Sequence, residues 1–392
     1  MKPAAITQGF DTRVVQGGRA STDHYGFVNP PVFRGSTVLA PSVEDLLNYR
    51  QPFVYGRLGS PTTAALQDAV RELDGSAGVL LCSSGLAAIA LALQATLGPG
   101  DRLLMSDVAY RPARRLCEGI LHKTGVVTEW FDHRTDAATL REMICPSTRA
   151  IYLEAPGSQT MEMSDLPALI AVAHEFDLIV ILDNTWATPL FFDAFAHGAD
   201  IVIQAATKYL AGHSDVMLGI VSASSRFLPA LQQFHRDTGV CVSPDDAWLT
   251  LRGLRTLAVR LRQHQESALH LARWLAQKDE VQAVWYPALE SDEGYALWQR
   301  DFSGAASLFT VILQPASSDA VAHFLEGLEL FGLGYSWGGF ESLALPFDCS
   351  EYRHFPARKP VGPCIRFYIG LENVADLQRD LEQGLQRFKA AR

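Results

Sequence analysis

The chain has 392 residues, of which 48% are hydrophobic and 19% charged, and its formal net charge is −10. That length allows two or three domains, and the composition supports large buried cores and excludes a disordered chain. The acidic balance leaves no basic footprint for nucleic acid or for an anionic membrane surface. The six cysteines are scattered and form no C-x-x-C pair, so neither a metal site nor a disulfide framework is expected, and the thiols read as free in a reducing cytosol.

Taken in chain order, the opening MKPAAITQGFDTR lacks the apolar core of a signal peptide, which fits a cytoplasmic protein. Residues 1–60 are rich in Gly, Pro, Ser and Thr and show little periodicity, so they read as an extended arm with turns, as at Asn29-Pro30-Pro31. From residue 61 helices alternate with short apolar strands, expected at 79–83, 102–106, 126–130, 149–153, 178–182, 200–205 and 217–222. Helices are expected at 86–97, 110–123, 135–144 and 164–176. The uncharged run 79–97 approaches bilayer-spanning length, but Ser83-Ser84-Gly85 interrupts it as a strand–turn–helix would, so no membrane span is expected. Continuous apolar strands alternating with helices imply an α/β fold with a mainly parallel sheet covered on both faces.

Near residue 245 the pattern changes. A helical stretch over 245–278 precedes strands at 281–285, 305–313 and 364–369 and helices near 317–329 and 374–389. This part reads as a smaller α+β domain. The expected organisation is an arm over 1–60, a large domain over 61–245 and a C-terminal domain over 246–392.

In open α/β sheets ligands collect at the carboxyl ends of strands. There LIVIL leads into Asp183 and Asn184, and IVIQAA leads into Thr207 and Lys208. Polar residues often follow strands because loops do. Together, though, an amine and a carboxylate suit pyridoxal 5'-phosphate (PLP): a lysine joins its aldehyde, and a carboxylate keeps its ring nitrogen protonated. Ser83-Ser84-Gly85-Leu86 joins a strand to a helix start, where free N–H groups and the helix dipole favour an anion such as phosphate. Thr207 could add a hydroxyl there, and Arg57, in YGRLGSPT, a bidentate fork. Arg366 lies in the apolar strand CIRFYIG and needs a partner, either a structural salt bridge or a substrate carboxylate.

The segments YGRLGSPT, SSGLAA, EAPGSQTME, DNTWATPL, ATKYLAGHSD, RGLRTL and SWGGFESL resemble, in order, those of the Cys/Met-metabolism PLP enzymes, from about residue 10 to the end. The resemblance implies the aspartate-aminotransferase-like fold, with a seven-stranded sheet. It implies Lys208 as the Schiff-base lysine and Asp183 as the ring-nitrogen partner, with Gly85, Leu86 and Thr207 on the phosphate. Tyr55 and Arg57 would reach the neighbouring subunit's phosphate, in a homotetramer built as a dimer of catalytic dimers. Tyr110 would stack on the cofactor ring with an unassigned catalytic part, and Arg366 would grip the carboxylate of a small amino-acid substrate. Ala205 departs from the family's usual Ser, which puts one phosphate hydrogen bond in doubt. Leu86 stands where many members have Met, with little effect expected because the backbone N–H is the working group.

The tract Gly334–Ser342 speaks to the branch. Relatives acting at the γ-carbon commonly read Glu-Ser-Leu-Gly-Gly there, whereas this chain has Tyr335, Ser336 and Trp337. Loss of the acid removes an anchor for a distal ammonium, and the indole narrows the pocket. The expected reaction is therefore α,β-elimination from a cysteine S-conjugate. A γ-acting relative is the alternative, and a non-catalytic PLP-fold regulator is a weaker one because Lys208, Asp183 and Arg366 are all retained.

Overall fold

The computed structural model describes residues 8–355 and 358–392. Seven strands, β1 (Gly78–Cys82), β2 (Arg102–Ser106), β3 (Val127–Phe131), β4 (Thr148–Glu154), β5 (Ile179–Asp183), β6 (Ile201–Ala205) and β7 (Gly219–Ala223), form a mostly parallel sheet of order β1-β7-β6-β5-β4-β2-β3. Five more, β8 (Val281–Trp285), β9 (Leu308–Leu313), β10 (Phe331–Leu333), β11 (Ser342–Phe347) and β12 (Cys364–Tyr368), form a smaller C-terminal sheet of order β10-β11-β12-β9-β8. Strands such as β4, β5 and β6 are buried almost throughout, as continuous Ile, Val and Leu runs require of a sheet covered on both faces.

The chain packs as two compact units, one of residues up to Thr96 with Asp200–Ala258, the other Leu97–Ala199 with Val259–Arg392. In the first, β7 runs antiparallel to both β1 and β6. A Cβ on Gly219 would lie 2.0 Å from the Ser84 carbonyl oxygen; glycine alone lets β7 pass under the turn that follows β1. In the second, β4 and β5 are parallel with Glu154 opposite Asp183, and β2 runs parallel to both β3 and β4. In the C-terminal sheet β12 is antiparallel to β11 and β9.

The uncharged run 79–97 resolves into β1, a serine turn and the helix Gly85–Thr96, and no helix among the described residues is long and apolar enough to cross a membrane. Three expectations differ in detail. The helical stretch 245–278 is two helices, Pro244–Leu254 and Leu257–Leu275. At the break the Arg255 Nη1 donates to the carbonyls of Val14 (3.0 Å) and Gly17 (2.6 Å), a long-range contact that helical periodicity cannot register. The helix over 110–123 is an α-helix, Arg111–Leu116, running into a π turn, Cys117–Leu121. β10 and β11 had no counterpart, because one is three residues long and the other carries Pro346.

Residues 8–58 form short helical turns, Phe10–Gln16, Ser21–His24, Val43–Leu47 and Gly56–Leu58. Between them large apolar side chains face outward: Tyr25 is 97% exposed, Leu39 84% and Tyr49 74%.

Candidate active site

In the first unit the Ser84 hydroxyl caps the helix Gly85–Thr96 by accepting from the Ala87 N–H (3.1 Å). The neighbouring free N–H groups of that helix start remain available to an anion. Gly85 is half-buried and Leu86 exposed. A Cβ at Gly85 would stand 2.7 Å from the Ala205 Cβ, so the end of β6 and the turn after β1 touch with no room for a side chain between them. Thr207 fixes the exit of β6: its hydroxyl accepts from the Leu218 N–H (2.9 Å) and its own N–H donates to the Leu218 carbonyl (3.0 Å). Lys208 follows in a turn whose N–H donates to the Ala205 carbonyl (2.9 Å). It is half-buried between fully buried Ala206 and Tyr209. The structure therefore brings the turn at Gly85 against Ala205 at the end of β6, with Thr207 and Lys208 following in the chain. Tyr55 and Arg57 stay exposed on the arm, and the Arg57 Nη1 donates to the Arg236 carbonyl (3.0 Å).

In the second unit Asp183 ends β5, and its Oδ1 accepts from the Thr185 N–H (3.0 Å) and hydroxyl (2.5 Å) while its Oδ2 accepts from the Tyr152 hydroxyl (3.4 Å). Burial pushes its pKa up and these donors pull against that. Tyr110 precedes the helix Arg111–Leu116, and its N–H donates to Glu154 Oε2 (2.8 Å). Burial, then Glu154 and Asp183, raise the Tyr110 pKa, and Arg366 opposes them; these groups share one electrostatic field. On β12 the Arg366 Nη2 donates to the carbonyls of Tyr335 (2.8 Å) and Ser336 (3.1 Å), which ties that tract to the strand. Among the described residues the Arg366 Nε is buried without a hydrogen-bond partner, and burial lowers this guanidinium to about 10. Tyr335 and Ser336 are exposed, and Trp337 is half-buried beside buried Gly338.

Sequence reasoning missed Glu154, Tyr152 and the support behind Tyr110. Asp107, at the head of the Tyr110 turn, is fully buried between Arg114 (2.7 Å) and Arg353 (2.7 Å). Burial raises its pKa, but Arg353 and the N–H groups of Phe355 and His354 outweigh it and hold the carboxylate at about 2. The signal for Glu154 was present: period 2 in RAIYLEA puts Tyr152 and Glu154 on one face, and Glu154 ends its strand as Asp183 ends the next.

The donor set fits the cofactor. Asp183 is a half-buried carboxylate held by neutral donors, and a protonated ring nitrogen would supply the positive partner it lacks. Arg366 has an unsatisfied Nε for a carboxylate, and the turn at Gly85 offers backbone N–H groups to a phosphate. Taken by itself, each unit thus carries groups of a kind that PLP-dependent enzymes use. The chain belongs to the Cys/Met metabolism PLP-dependent enzyme family, which it matches over residues 11–386. It is 45% identical over 387 residues to a putative cystathionine β-lyase of Rhizobium johnstonii, covering 97% of each chain. It is 41% identical over 392 residues to the cystathionine β-lyase MetC of Escherichia coli, covering 96% of this chain and 98% of that one. Among solved structures, cystathionine γ-synthase of Xanthomonas oryzae in complex with cystathionine is similar, with a TM-score of 0.91 at 32% identity over 99% of this chain and 100% of that one.

Proposed function

We propose that the chain is a cystathionine β-lyase, a carbon–sulfur lyase that converts cystathionine to homocysteine, pyruvate and ammonia and so serves methionine biosynthesis in the cytoplasm. The observation that carries this reading is the Tyr335-Ser336-Trp337 tract. Its first two carbonyls are fastened to Arg366, and it holds no acid for a distal ammonium where γ-acting relatives have one. The names of the relatives support it. Product analysis with cystathionine is the test: pyruvate with homocysteine is expected, and 2-oxobutyrate with cysteine would transfer the chain to the γ-eliminating branch.

Bound PLP supplies an aldehyde for an amine and a ring that accepts the electron pair released at Cα. Lys208 is the amine that would hold the aldehyde, and its Nζ, when free, would take the Cα proton. Asp183 would keep the ring nitrogen protonated. Arg366 receives the substrate carboxylate through its unpaired Nε face. Burial raises the Tyr110 pKa and so favours its neutral hydroxyl, a group able to donate a hydrogen bond. Trp337 packs against the apolar part of the substrate.

Arg366→Ala is expected to raise KM for cystathionine roughly 10- to 100-fold, the worth of a charged contact of about 1.5–3 kcal/mol. The absorption of the bound cofactor should change little. Loss of folding instead, read by circular dichroism, would make Arg366 a structural cation.

The assembly belongs to the same proposal. An arm that exposes Tyr25, Leu39 and Tyr49 offers large apolar side chains to a partner surface. A homotetramer built from catalytic dimers would cover it, with Tyr55 and Arg57 completing the phosphate site of the neighbouring subunit. Arg57→Ala and Lys208→Ala chains, each nearly inactive alone, should regain activity when co-refolded, because one site of each mixed dimer would then be intact. Mixed dimers of confirmed mass without such rescue would place Arg57 on its own chain's site.

A further inference from the structure

β4 and β5 end side by side. In their parallel register Glu154 stands opposite Asp183, so the two carboxyl side chains leave the same face of the sheet. Both are half-buried, set deep enough that burial dominates their protonation. Two neighbouring carboxyl groups in such a setting resist ionising together, because the second negative charge meets both desolvation and the first.

The hydrogen bonds decide which of them keeps a proton. Asp183 accepts from the Thr185 N–H, the Thr185 hydroxyl and the Tyr152 hydroxyl. Among the described residues Glu154 accepts from one donor, the Tyr110 N–H, on Oε2. Donors stabilise the ionised form, so the charge settles on the better-supplied oxygens of Asp183. Among the ionisable groups near the pair are Tyr152 on β4 itself and Tyr110 ahead of its helix, with Cys117 acting on Tyr152 and Arg366 on β12 acting on Tyr110. Neither tyrosine brings a positive charge that would ionise Glu154.

We propose that Glu154 holds the proton of this carboxyl pair and acts as a neutral positioning residue, fastening the Tyr110 backbone while leaving the negative charge on Asp183 for the cofactor's ring nitrogen. The assignment of the proton stands on the apoprotein alone; the use of the charge on Asp183 rests on the function proposed above. Burial, and then the charge on Asp183, keep the Glu154 carboxyl well above the usual carboxylate range. A raised folded-state pKa gives stability that is present below the unfolded value, about 4.3, and is lost as pH rises towards the folded value.

Infrared spectroscopy of the apoprotein at neutral pH tests the proton directly. The expected spectrum shows the C=O stretch of one undissociated carboxyl group, shifted by carboxyl-13C glutamate labelling, unmoved by carboxyl-13C aspartate labelling and absent in Glu154→Gln. Above about pH 4.3 the Glu154→Gln apoprotein should also gain stability relative to the parent as pH rises. In the loaded enzyme Glu154→Gln, the isostere of a neutral acid, should retain most of the turnover that Glu154→Ala loses. The Ala variant is expected to fall about tenfold in kcat, the loss of one buried hydrogen bond. Absence of the band, its shift under aspartate labelling, or equal damage from Gln and Ala would overturn the proposal. A glutamate band in a protein without lyase activity would remove the cystathionine reading and leave the assignment of the proton standing.

Discussion

Lys208→Ala is expected to abolish turnover and the visible absorption of the lysine-linked cofactor together. One atom, Nζ, is asked both to hold the aldehyde at rest and to take the Cα proton. A positioned general base alone contributes about 10²–10⁴-fold, and the covalent anchor goes with it, so a fall in kcat of at least about 10³-fold is expected. The backbone bonds at this position do not depend on the side chain. The N–H of residue 208 donates to the Ala205 carbonyl, the carbonyl of residue 208 accepts from the Gly212 N–H, and alanine keeps both bonds. Circular dichroism verifies folding, and absorption spectroscopy with a pyruvate assay gives the result. A variant that kept both the absorption and pyruvate production would move the cofactor lysine elsewhere.

How far this site could be read in advance follows from the range of the forces involved. β2 and β8 fall where the apolar runs end, and the other apolar strands lie within a few residues of theirs, because a strand buried on both faces writes its limits in composition alone. The position of Asp183 at the end of β5, and of the Thr207-Lys208 pair just beyond β6, was legible for the same reason. What escaped depends on partners far apart in sequence. Asp107 meets Arg353 across 246 positions, and neither residue stands out locally. The Arg255 contact that separates two helices likewise spans 238 positions to Gly17. Glu154 escaped for another reason: its meaning lies in the register between β4 and β5, and strand order is not written in either strand. The exposure of the Tyr335–Ser336 tract and its attachment to Arg366 needed the antiparallel pairing of β11 with β12, and β11 itself was not anticipated.

Asp183→Asn is expected to keep part of the cofactor and lose most of the rate. The substitution changes little in shape, and the local hydrogen bonds dictate how the amide sits. Oδ1 faces two donors, the Thr185 N–H and hydroxyl, so the amide oxygen takes that place and the NH₂ group takes the other. There it meets the Tyr152 hydroxyl, which can rotate to accept. The new group is a donor at the position from which a carboxylate would hold a protonated ring nitrogen, and an N–H facing an N–H forces that nitrogen to give up its proton. The uncharged ring accepts the Cα electron pair poorly, and loss of one preorganised electrostatic partner costs about 10²–10³-fold in kcat. The charge that helps raise the Glu154 carboxyl disappears at the same time, so the Glu154 pKa should move down towards its ordinary value. Nitrogen-15 NMR of ring-labelled cofactor in the variant should report an unprotonated nitrogen, and stopped-flow assays at verified occupancy should report the slow turnover. A protonated nitrogen with a near-normal kcat would show that another group holds that proton and that Asp183 is only the end of a buried strand.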